Sequence, residues 1–282
     1  MKPKYSLAPK HCWGTHLILI LASIISVVPL LWILSTSLKP AAQIFDTQIR
    51  FIPLTPTVEN YRFLFTMKNH IFFTWLRNSV LIAVSTTVLG LFLATTAAYA
   101  LSRFRFPGHR ASLFSFLLIQ MFPGALLIAP LYQLMRAYGL LNTWYGLVLA
   151  YATTALPFCV WMLKGFFDTI PIEIEEAARV DGLSPIGSFY RIVLPLSLPG
   201  LVVTAFYSFI TAWNEFMYAM TFMSKEKLYT LPVGMGTFVN QFQSDWQYLA
   251  AGAVVITIPV IIFFFFAQKY LVAGLTAGGT KG

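Results

Sequence analysis

Leu17-Ile-Leu-Ile-Leu-Ala-Ser-Ile-Ile-Ser-Val-Val-Pro-Leu-Leu-Trp-Ile-Leu-Ser-Thr-Ser-Leu38 runs for 22 residues without a charge. At about 1.5 Å of rise per residue, a helix of that length crosses a hydrocarbon core about 30 Å thick. Lys2, Lys4 and Lys10 precede it, as they would a secretory signal. The run is too long for a signal's apolar segment and no small-x-small cleavage site closes it, so it is expected to stay as a signal anchor. Five further runs have comparable length: Ser79 to Leu101, Ala111 to Met135, Thr143 to Trp161, Leu196 to Phe222 and Tyr248 to Tyr270. Lipid-facing backbone must satisfy its own hydrogen bonds, and runs this long do so as helices rather than as ten-residue barrel strands. The expected fold is therefore all-α and integral to the membrane. A tail (1–16) precedes six transmembrane helices in one domain (17–271), and a second tail (272–282) follows.

Composition agrees. Only 10% of the 282 residues are charged, against about 25% in soluble proteins. With 26 Phe, 13 Tyr and 7 Trp and a mean hydropathy of +0.73, too little polar surface remains to face water all round. The formal charge is +9, but the basic residues sit in short loops rather than in a stripe or tail, so anionic headgroups are better neighbours for them than nucleic acid. Cys12 and Cys159 form no metal-ligand or disulfide pattern and read as packing residues. Orientation follows the loop charges. The N-terminal tail and the turn Ser102-Arg-Phe-Arg-Phe-Pro-Gly-His-Arg110 are the basic loops and belong in the cytoplasm. An even number of spans then puts the C-terminus there too, together with the segment 164–191. Pro123, Pro130, Pro157, Pro199 and Pro259 fall within or beside spans, either as tolerated kinks or as hinges of a moving pathway.

The connection Leu163 to Arg191 is far longer than antiparallel helices need, and it holds five of the chain's ten acidic residues. Pro171 opens a short helix on which Ile174, Ala177, Ala178 and Asp181 share a face of mostly small side chains, walled by Glu173, Glu175, Glu176 and Arg179. Gly182 ends it, and Ser184-Pro185 has the capping chemistry of a second helix. Small residues on an exposed face permit close approach by a protein partner. A helix lying on headgroups is the other reading, but its acidic wall would be repelled by an anionic leaflet.

Glu176-Ala177-Ala178, Gly182, Ile192 and Leu194-Pro195 stand at the spacing of the EAA signature, and the chain resembles the transmembrane subunits of binding-protein-dependent ABC importers. Ala98 to Arg103, Pro130-Leu-Tyr, Gly139 to Thr143, Trp213-Asn-Glu-Phe216, Leu231 to Gly234 and Gly274 to Gly282 are similar to the sugar-importing branch, of the kind of the smaller maltose-type permease. This resemblance implies a permease in a bacterial or archaeal inner membrane. It would form half of a translocation pathway beside a homologous second permease, with two copies of an ATPase that bind ATP and Mg and with an extracytoplasmic sugar-binding protein. The segment 164–191 would hold the coupling helix between spans 4 and 5, with Glu176, Ala177, Ala178, Asp181 and Gly182 docking on the ATPase. Lys281 and Gly282 would have a lesser contact there. The last outer loop, with Val233, Gly234, Met235 and Gly236, would reach the binding protein, unless it folds over its own bundle.

Glu215 is the one acidic residue inside an expected span, which by cost alone marks a functional hypothesis. Trp213 and Asn214 beside it offer the ring and the amide that sugar sites use, and Tyr207 and Thr211 lie one or two turns earlier. The five read either as pathway lining or as helix packing and gating. No Gly-Lys dipeptide occurs, hence no phosphate-cradling P-loop, and no nucleophile–base set or metal-ligand cluster is evident, so the chain is expected to hydrolyse nothing itself. The cofactors expected in the chain are none. A permease for a sugar phosphate, polyol or other polar solute is the nearest alternative, and a self-sufficient secondary transporter is the alternative from another class.

Overall fold

The apolar run that opens the chain forms helix α1, Cys12–Ser37, which carries Pro29 without a break. The computed structural model describes residues 12–46, 50–239 and 245–279, with the side chains of Cys12 and 272–279 left aside. These residues build helices and no sheet. They divide into two units: Met1–His70 with Thr237–Thr257, and Ile71–Gly236 with Ile258–Gly282.

In the first unit, residues 13–32 of α1 are exposed on every side, and packing begins only at its C-terminal end. There the Asn60 amide donates to the carbonyls of Ser37 (2.8 Å) and Lys39 (2.9 Å), closing groups that a helix end leaves open. The Ser37 hydroxyl meets the Tyr61 phenol at 2.6 Å. Lys39, almost wholly buried, donates to the Arg50 carbonyl and lies 4.4 Å from the centre of the Trp32 ring. Phe63 stacks on Tyr248 with ring centres 4.0 Å apart. Helix α2 (Ala41–Ile44) is a single turn in this stretch. Helix α3, Glu59–Arg103, passes from the first unit into the second and is interrupted at Met67–His70, where Lys68, Asn69 and His70 have positive φ. Helical structure thus reaches into residues 39–78, which lie between the first two apolar runs.

The second unit holds the rest of α3 and then α4 (His109–Met121), α5 (Ile128–Ala137), α6 (Trp144–Asp168), α7 (Ile172–Val180) and α8 (Pro185–Ser188). A π-helical turn, Phe189–Val193, leads to α9 (Leu194–Leu196), α10 (Leu198–Trp213), α11 (Met217–Phe222), α12 (Leu231–Gly236) and the latter part of α13 (Trp246–Gly279). Trp13–Ser37, Glu59–Arg103, Trp144–Asp168 and Trp246–Leu271 are each long and apolar enough to cross a membrane.

Two expected spans are not continuous. Ala111 to Met135 breaks at Phe122–Pro123, and the arms His109–Met121 and Gly124–Ala137 meet at 98°. Phe122 is extended (φ −74°, ψ 128°) because the residue before a proline avoids the helical region, and Pro123 has no N–H with which to continue the ladder. Leu196 to Phe222 bends by 77° between Pro185–Leu196 and Leu198–Trp213, just before Pro199, and stops again at Asn214–Phe216.

The core joins α3, α6 and the π-helical turn through Ala94, Ala98, Ala155, Cys159, Phe167, Phe189 and Val193. Without a hydrophobic force between helices in lipid, small residues that bring backbones close supply the packing. Cys159 is one of these packing residues, as its setting in the sequence implied. Gly200 of α10 is a further case, since a Cβ there would lie 2.4 Å from Cγ of Phe166. Gly234 of α12 is another, its Cβ position lying 2.2 Å from Cε3 of Trp75. Gly200→Ala and Gly234→Ala are therefore each expected to destabilise the protein by about 1 to 3 kcal/mol. Thermal unfolding of the detergent-solubilised variants checks this; an unchanged Tm for both contradicts the packing described.

Candidate functional site

The segment 164–191 is two helices meeting at a glycine corner. Helix α7 follows Pro171, and its end is closed by Gly182 N–H donating to the Arg179 carbonyl and Leu183 N–H to the Ala178 carbonyl, both at 3.1 Å. Gly182 has φ +92°, the left-handed conformation that favours glycine. The Ser184 hydroxyl then accepts from Gly187 N–H at 3.0 Å and Pro185 takes the first position of α8.

The orientation of α7 departs from the expected one. Glu175, placed by its spacing in the outer wall, is buried. One carboxylate oxygen pairs directly with Arg103 Nε at the end of α3, and the other accepts from Tyr99 Oη at 2.8 Å. Arg103 also donates to the Ile170 carbonyl (3.0 Å) and to Ser102 Oγ (3.0 Å). Ser102 Oγ in turn donates to Asp168 at 2.6 Å, and Lys164 pairs with the other oxygen of Asp168. A carboxylate this short of water requires a cation and further donors, and Arg103 and Tyr99 supply them. Ala178, one helical turn on, is turned inward with Glu175, whereas Glu173, Glu176, Ala177, Arg179, Asp181 and Gly182 are exposed. The loop is thus tied by one face to the end of α3 and open on the other. Tyr99 and Arg103 enter the sequence reading only through the basic turn and the stretch Ala98 to Arg103, and nothing local marks either as a partner of Glu175.

The second group does not converge. Trp213 is buried and stacks on Phe209, ring centres 5.5 Å apart. The Thr211 hydroxyl bonds back to the Tyr207 carbonyl at 2.9 Å, and Asn214 is exposed at the end of α10. Tyr207 packs on Phe158 at 4.1 Å. Glu215 caps α11: its two oxygens accept from Tyr218 N–H (2.7 Å) and Ala219 N–H (3.1 Å). The Tyr218 phenol reaches across to the Gly124 carbonyl at 3.0 Å, joining this break to the one in the α4–α5 pair.

Residues 226–231, in the expected last outer loop, lie against α3. Trp75 Nε1 donates to the Glu226 carbonyl, Asn78 to the carbonyls of Lys227 and Tyr229, and Ser79 Oγ accepts from Leu231 N–H. Val233, Gly234 and Met235 are buried and Gly236 is exposed. Lys281 and Gly282 lie outside the described residues. Among the described residues no three His, Cys, Asp or Glu side chains gather to hold a metal ion.

Residues 86–277 match the family described as binding-protein-dependent transport system inner membrane component. The trehalose transport system permease protein SugB of Mycobacterium tuberculosis is 42% identical over 91% of this chain and 93% of its own. The sulfoquinovosyl glycerol transport system permease protein SmoH of Agrobacterium fabrum is 39% identical over 95% of each. Among solved structures, a bacterial ABC transporter involved in import of the acidic polysaccharide alginate superposes with a TM-score of 0.79 at 25% identity, over 96% of this chain and 100% of that one.

Removing one partner of a buried ion pair costs about 3 to 5 kcal/mol, because the other charge is left uncompensated. Arg103→Leu and Glu175→Leu are each expected to lower the unfolding temperature sharply. The exchange Arg103→Glu with Glu175→Arg should recover part of the loss. Thermal unfolding of the three variants reads this, and additive losses in the exchange variant would mean that the two charges do not act as a pair.

Proposed function

The chain belongs to the family of inner-membrane components of binding-protein-dependent transport systems, as a permease subunit of an ABC importer, and from that premise we propose that its cargo is a saccharide. Glycosidic cargoes named for its relatives support this. The nucleotide chemistry of such importers belongs to a separate ATPase subunit, which holds ATP and Mg.

Four long apolar helices and two bent pairs fit six crossings of the membrane, with both termini on the cytoplasmic side where the basic loops lie. A homologous second permease completes the pathway, two ATPase copies sit beneath, and a sugar-binding protein docks outside near the exposed Gly236. Helix α7 is the coupling helix. Its open face, with Glu176, Ala177, Asp181 and Gly182, enters a cleft on the ATPase, with Ala178 beneath, and Lys281 and Gly282 add a smaller contact. Closure of the ATPases around ATP carries α7 with it, and through the Glu175–Arg103 pair it moves the end of α3. The bundle then turns from inward-facing to outward-facing, and hydrolysis resets it. The observation that carries this reading is the glycine corner between α7 and α8, held to α3 on one face and free on the other.

Two experiments test it. The chain, tagged and purified from its native membrane in mild detergent, is expected to bring with it an ATPase and one homologous permease; recovery alone, with transport persisting without any ATPase, overturns the reading. A Cβ at Gly182 meets no atom within 4 Å, so the penalty of Gly182→Val comes chiefly from the left-handed backbone, about 1 to 2 kcal/mol. The substitution should leave membrane insertion intact and cut ATP-driven uptake at least tenfold. Normal uptake by this variant counts against α7 as the coupling element.

A further inference from the structure

A groove of about 360 Å³ opens where α4 breaks, lined among others by Gln120, Phe122, Thr153, Thr154, Phe158 and Tyr207. Its depth follows from helix geometry. Gln120 lies eleven residues into α4 and Thr154 ten residues into α6, each about 15 Å along its helix and so near the middle of a core about 30 Å thick. Irregular backbone at that depth is tolerated only where it is covered by protein or lines a cavity. Here two departures from regular helix coincide: the break at the extended Phe122, where the arms meet at 98°, and Pro157, which has no N–H to return to the Thr153 carbonyl.

The lining has the composition of a carbohydrate site. Phe158 and Tyr207, ring centres 4.1 Å apart, present aromatic surface to the C–H face of a sugar ring. Gln120 is exposed and brings an amide that both donates and accepts, at a depth where an amide facing acyl chains would be costly. The hydroxyl protons of Thr153 and Thr154 are engaged with the Ala150 and Tyr151 carbonyls, which leaves their oxygens as acceptors for a sugar's O–H groups. None of the lining residues is charged. A carboxylate or sulfonate at mid-membrane would require a cation, and this wall has none to offer.

We propose that this groove is a contact site for an uncharged saccharide in transit, with Gln120, Thr154 and Tyr207 as hydrogen-bonding groups and Phe158 as the stacking surface. The proposal rests on the saccharide reading above and adds the place of contact and the neutrality of the cargo.

The test uses the whole importer in ATP-loaded proteoliposomes with its binding protein outside. The radiolabelled probes are trehalose, maltose and maltotriose, which are neutral, and digalacturonate, which is acidic. Uptake is expected for a neutral probe and not for digalacturonate. Gln120→Leu and Thr154→Val should each lower it at least fivefold, while assembly and binding-protein-stimulated ATP hydrolysis stay within twofold of the unaltered complex. Carriage of digalacturonate, or neutral uptake untouched by both substitutions, overturns the proposal, and so does loss of the second permease from the variant complexes, which would assign the groove to a helix of that subunit. An unaltered complex that hydrolyses no ATP in response to binding protein and carries none of the four probes instead overturns the saccharide reading, and this inference with it.

Discussion

A peptide N–H or C=O left open inside hydrocarbon costs several kcal/mol, and this constraint organises the second unit. Several departures from straight helix are met by a local remedy. Glu215 takes the two amides exposed where α11 starts, and the Tyr218 phenol takes the Gly124 carbonyl freed at the break after α4. Thr143 caps the first turn of α6, and Ser79 receives the amide that opens α12. Polar side chains that would be a liability on a lipid face serve here as the missing partners of the backbone.

This explains what the sequence made legible and what it did not. Apolar length is a property of a run by itself, so the six runs stand out without knowledge of their neighbours. The corner at Gly182 and the Ser184-Pro185 start are equally local, and the structure has both. The breaks at Phe122 and at Asn214 to Phe216 are harder to read, because a proline or carboxylate within an apolar run fits a kink, a cap or a pathway equally well. Glu215 shows the ambiguity: the partners that decide its geometry lie three and four residues on, and they are backbone amides with no side-chain signature. Glu175 was beyond reach for another reason. Its partner Arg103 lies 72 positions earlier, and only folding brings the two ends together.

Helix α7 is instructive because adjacent residues serve opposite sides. Glu175 and Ala178 hold it to the membrane helices, while Glu176 and Ala177 are exposed. Successive residues on a helix are turned by about 100°, so a run of two glutamates and two alanines furnishes both an anchor and a free surface within one turn. The acidic character of the loop therefore has two physical origins, one an internal ion pair and the other an exposed rim.

The π-helical turn at Phe189–Val193 has its own effect on the chain that follows. Leu194 N–H bonds to the Phe189 carbonyl, five residues back, so the turn accommodates one residue more than an α-turn. That residue sets back the phase of everything beyond it by about 100° relative to an uninterrupted α-helix. A chain one residue shorter between Ser188 and Leu194 would keep the faces presented by α8 and by α9 and lose only the swelling between them. The turn is a splice that separates the length of the connection after α6 from the rotational setting of the helix it leads into.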